Sequence, residues 1–129
     1  MELVLDGDTR RNRGMRICHE TMLKNFKNTV TLVNYGGPVQ MCVFYLEYEY
    51  SKKPYKIILE CERGFLTIEV EDQAGNVFFP GMIYPGARRH YFEDMDEDIE
   101  QLVQLTYRAF EKNEVRFSPR DKIKDLDWD

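Results

Sequence analysis

Two acidic stretches hold most of the side chains in this sequence that could do chemistry together. One is Glu47-Tyr48-Glu49-Tyr50. The other runs from Glu93 to Glu100, where six of eight residues are carboxylates, among them Asp94, Asp96, Glu97, Asp98 and Glu100. Carboxylates beside tyrosines suit the capture of a basic protein, because charge steers the encounter and compact rings anchor it. A plainer account competes with this one. Tyr48 could pack in the core, and acids at a helix start offset the macrodipole. Adjacency of the two stretches in the fold would favour binding.

Two basic clusters offer a different chemistry. Arg10, Arg11 and Arg13 precede a first helix, and Arg88 and Arg89 precede His90 and the second acidic stretch. Arginines ahead of a helix could hold a phosphate, which makes a small-ligand or nucleotide-binding domain the alternative reading. The carboxylates from Glu93 onward would repel an anion at the second cluster. Gly36-Gly37-Pro38 lacks the lysine of a phosphate-binding loop.

Nucleophilic and metal chemistry find little support. There is no Gly-x-Ser-x-Gly, and the histidines are His19 and His90. Cys18 falls on the apolar face of the first helix, where burial raises a thiol pKa and makes a poor nucleophile. No Cys-x-x-Cys or His-x-x-x-His spacing suggests zinc. The run from Asp94 opens like a calcium loop, but Ile99 replaces its glycine and Leu105 its bidentate glutamate. We expect no catalytic residue, metal or cofactor.

The chain has 129 residues, 43% hydrophobic and 32% charged, with a net charge of −5. That composition is globular, and its length suits one domain spanning 1–129, with 118–129 as a short helical end. Residues 91–129 hold twelve acids against six bases, so the acidity is concentrated there. The balance argues against nucleic acid as a partner and for a basic protein. Cys18, Cys42 and Cys61 are an odd set without paired spacing and read as free thiols in a reducing compartment. With no secretory leader and no long apolar run, a cytoplasmic location away from membranes is expected.

Periodicity supplies the frame. Met15, Cys18, Met22 and Phe26 recur at helical spacing, giving a helix from Met15 to Lys27. Strands follow over Thr29–Val33, Val39–Tyr50, Tyr55–Glu62, Leu66–Glu71 and Val77–Phe79, joined by turns such as Arg63-Gly64. Leu3-Val4-Leu5 is a further short strand candidate. Residues 80–91 read as a loop. Met95, Ile99, Leu102, Val103, Thr106, Ala109 and Phe110 then line one face of a helix, with Asp94 as N-cap and Asn113 as stop. Ser118-Pro119 would open a last short helix over 119–127, docked through Ile123 and Leu126.

The expected fold is α+β: an antiparallel meander of four to six strands, an N-terminal helix, and a long amphipathic C-terminal helix on one face. The function that fits is a non-catalytic module capturing a basic protein through an acidic surface. Immunity proteins that inhibit toxins share this size, charge and make-up, as do acidic secretion chaperones; the likeness is analogy, with no motif behind it. A homodimer also stays open, because the strand from Val39 is apolar on both sides in its first half.

Overall fold

Thr9 starts the first helix. Its hydroxyl accepts the Asn12 amide at 3.1 Å, and α1 runs over Arg10–Phe26. This is five residues earlier than the apolar spacing predicts, because the cap and the arginines after it carry no apolar periodicity. The computed structural model describes residues 1–37, 43–62, 65–83 and 95–122. The strands are β1 (Val30–Gly36), β2 (Phe44–Tyr50), β3 (Lys56–Glu62), β4 (Phe65–Glu71) and β5 (Val77–Phe78), and the second long helix is α2 (Met95–Glu111). Val39 to Cys42, the Arg63-Gly64 turn, Arg88, Arg89, His90, Asp94, Ile123 and Leu126 lie outside the described residues.

The five strands form one antiparallel sheet in chain order, β1 to β5. Alternation decides which side chains meet the helices. Leu46, Tyr48, Ile57, Leu59, Leu66, Ile68 and Val70 are fully buried, and they pack with Met15, Cys18, Met22, Ile99, Leu102 and Val103 of the helices. Both helices therefore lie side by side on one face of the sheet, in the α+β layering that the patterning implies. In β1 the register shifts between Leu32 and Asn34. This bulge lets Val30 and Leu32 and then Tyr35 pack toward the same core, which strict alternation forbids.

At one end of this layer six rings interlock. Phe26 meets Tyr107 and Phe110 edge-on at 5.1 and 5.3 Å, Tyr50 meets Phe110 at 4.9 Å, and Tyr55 meets Phe117 at 4.8 Å. The ends of both helices are thereby tied to the turn between β2 and β3. Asn113 closes α2 as expected. Its φ of 55° lets its amide reach the Phe110 carbonyl at 3.2 Å and that of Glu114 the Ala109 carbonyl at 2.8 Å.

One expectation needs correction. Leu3-Val4-Leu5 forms no strand. Side-chain and terminal donors hold it instead: the Met1 ammonium donates to the Leu32 carbonyl, and the Tyr35 hydroxyl bonds both the amide and the carbonyl of Val4. After α2 the chain adds Ser118 beside Val77 in an isolated bridge and makes a 3₁₀ turn over Arg120–Lys122; residues 123–127 of the expected last helix lie outside the described residues. Among the described residues no helix is long and apolar enough to cross a membrane.

Candidate functional site

With both helices on one side, the sheet's other face carries the alternate residues of β2, β3 and β4. Register places them in rows. Glu49, Lys56 and Glu71 form one row, and Glu47, Ile58 and Glu69 the next. Tyr45, Glu60 and Thr67 form a third, and Glu62 beside Phe65 a fourth. Among the described residues of these strands and the segment after α2, six carboxylates thus share a face with two cations, Lys56 and Arg120. Half-buried Tyr45, Ile58 and Phe65 supply its apolar part. Tyr45 lies across β1, where a Cβ on Gly36 would come within 3.3 Å of its ring.

The three acidic pairs of this face differ in their partners. Glu47 has Lys56 at a long 3.8 Å. Glu69 and Glu71 are both engaged by Arg120, whose guanidinium reaches Glu69 at 2.9 and 3.1 Å and Glu71 at 2.7 Å. Glu60 and Glu62 have no cation among the described residues. Partial burial, then the neighbouring charges of Glu62 and Glu69, push the Glu60 carboxyl above its usual range. Both causes disfavour the charged form, and the second reflects the neighbouring carboxylates.

Glu47 and Glu49 are part of this face, whereas Tyr48 points the opposite way into the core and is 0% exposed. Its ring stacks on His19 and its hydroxyl lies 2.8 Å from His19 Nδ1. It therefore anchors the sheet to α1 and has no exposed surface, which corrects the expectation of Tyr48 as a surface anchor. Asp96 and Glu97 are exposed at the start of α2, Asp98 and Glu100 are half-buried, and Glu100 pairs with Lys24 of α1 at 2.9 Å. The helix acids and the strand acids sit on opposite sides of the sheet and do not form one surface.

The arginines before and within α1 are largely occupied. Arg11 donates to the Gly37 carbonyl at 2.6 Å, and Arg16 to that of Gly7 at 2.9 Å. Arg10 and Arg13 line an open cleft of about 560 Å³ together with Arg16, but Asp8, Glu20 and Asp96 line it too. Three acids there offset three bases, which leaves no excess positive charge for an anion.

Burial pushes the Cys18 thiol well up, and Cys61 is buried as well. Among the described residues no group of three His, Cys, Asp or Glu side chains is placed to hold a metal ion.

Glu60, Glu62, Glu69 and Glu71 were not among the expected site residues. Their signal was in the sequence as glutamates alternating with Leu59, Cys61, Ile68 and Val70, a pattern that ordinary solvated strands share. The described residues form a two-layer α+β arrangement whose acid-rich sheet face lies opposite both helices. Comparison of the chain with family models, curated proteins and solved structures finds no match.

Proposed function

We propose that the protein is a non-catalytic binding module that captures a basic protein on the open face of its sheet, as an immunity protein covers a toxin. One observation carries this reading: six glutamates on three adjacent strands face away from both helices, with only Lys56 and Arg120 among the described residues to offset them. Net negative and interspersed with half-buried Tyr45, Ile58 and Phe65, and covered by neither helix, the face complements a cationic surface that also brings apolar contacts.

The test separates this face from the acids on α2. Tagged protein is incubated with its source lysate and washed in rising salt, in three forms: native, Glu60→Lys with Glu62→Lys, and Asp96→Asn with Glu97→Asn. The native form and the α2 variant should retain one basic protein near one-to-one, released as salt screens the contact beyond about 10 Å at 0.1 M. The β3 variant should lose it. Retention by the β3 variant equal to that of the native form would sink the assignment.

A further inference from the structure

We propose that Arg120 is a built-in occupant of the docking face, held where an arginine of the basic partner would bind, so that partner and segment 118–122 compete for Glu69 and Glu71. The inference rests on the docking reading above and gives it a chemical preference and a control.

The geometry of Arg120 defines the seat. Nη1 donates to Oε1 of Glu69 at 2.9 Å, and Nη2 to Oε2 of Glu69 at 3.1 Å and Oε2 of Glu71 at 2.7 Å. Two carboxylates spaced by one residue along a strand thus accept a planar fork, a match that an ammonium cannot make. Lys56 illustrates the contrast: on the same face it approaches Glu47 only to 3.8 Å. Glu60 and Glu62 repeat the spacing on β3 and hold no cation among the described residues. Among the described residues the face therefore presents one filled guanidinium seat beside a second of the same pattern that holds no cation.

The filled seat is also one that can be vacated. Arg120's side chain is 54% exposed while Glu69 and Glu71 are 18% and 27% exposed, so the arginine lies on top of the acids and is not locked beneath other groups. Among the described residues its backbone is joined to the sheet by one bridge, in which Ser118 and Val77 exchange two hydrogen bonds of 3.0 Å. A one-turn 3₁₀ helix follows, with none of its residues buried. Exposed ion pairs of this type contribute little to stability, so exchanging Arg120 for a partner's arginine costs little of the fold.

The experiment measures binding of a fluorescent hexa-arginine peptide, and of a hexa-lysine peptide, at one fixed ionic strength. The proteins are the native chain, Arg120→Gln, Lys122→Gln, and Glu60→Gln with Glu62→Gln. Hexa-arginine should bind the native chain more tightly than hexa-lysine does. Arg120→Gln should tighten hexa-arginine binding by about threefold to tenfold, the range of an exposed charge-assisted fork. Lys122→Gln removes the same unit of charge from the same segment without emptying Glu69, and should shift binding by less than about twofold. Equal gains from the two variants would mean that charge alone acts, and would overturn the competition while leaving the docking face standing. Hexa-arginine binding that is unchanged in the β3 variant would instead overturn the docking face itself.

Discussion

His19 Nδ1 lies 2.8 Å from the Tyr48 hydroxyl, with the two rings stacked at 17° across the boundary between α1 and the sheet. Burial lowers the His19 pKa; Glu20 opposes that shift and the Met1 ammonium adds to it. The native state then binds fewer protons than the unfolded chain between the ordinary histidine value, about 6.5, and the lowered one. Stability is accordingly full above that ordinary value and declines as pH falls through the window below it. Urea unfolding of the native chain and of His19→Gln at pH 7.5, 6 and 5 checks this. The difference between the two should narrow as pH falls, and a constant difference would refute it.

The same pair predicts the cost of losing one partner. Tyr48→Phe keeps the ring in the core but leaves His19 without its hydrogen bond, at a cost of about 1 kcal/mol. Tyr48→Ala also removes a fully buried ring, and should cost about 3–5 kcal/mol. Denaturation midpoints of the two variants give the comparison, and similar losses would mean that packing around Tyr48 contributes less than its burial implies.

Glu60 is predicted to trade stability for recognition. Its folded pKa is raised, so the native state binds the extra proton and stability falls as pH rises through that window. Glu60→Gln should therefore raise the melting temperature at pH 7 and change it little below the ordinary carboxylate range, near pH 4. The same substitution should weaken capture of the basic partner. A melting temperature that drops at pH 7 would show that the carboxylate is compensated after all.

Gly37 carries a backbone prediction. Its φ of 129° is strained for any other residue, and an added Cβ would collide with the carbonyl oxygen of Val43. Its own carbonyl accepts Arg11 at 2.6 Å, tying the end of β1 to the start of α1. Gly37→Ala should destabilise the fold by at least about 2 kcal/mol, combining strain and overpacking. A urea midpoint within error of the native value would count against the described geometry.

The strands of this fold were legible because Leu66, Ile68 and Val70 alternate cleanly with polar residues, and α2 because its apolar stripe is uninterrupted through Phe110. The start of α1 was not, since Thr9 and three arginines carry no periodic signal. The candidate site was legible only in part. Alternation says that Glu47 and Tyr48 face opposite ways, but it does not say which side the helices cover. Arg120 was hidden for a different reason: its partners Glu69 and Glu71 lie about fifty residues earlier, 51 and 49 positions away, and no local pattern encodes that distance.

The acids of the open face are rooted in the most fully laddered part of the sheet. β3 is paired along its length with β4 and nearly so with β2, whereas β5 contributes only Val77 and Phe78. Backbone amides there should be the last to exchange with deuterated solvent. Strand spacing of about 4.8 Å across and two-residue steps of about 6.7 Å along the chain fix where the carboxylates emerge. The charges thus form a grid of set pitch, whose dimensions hold while the periphery of the molecule breathes.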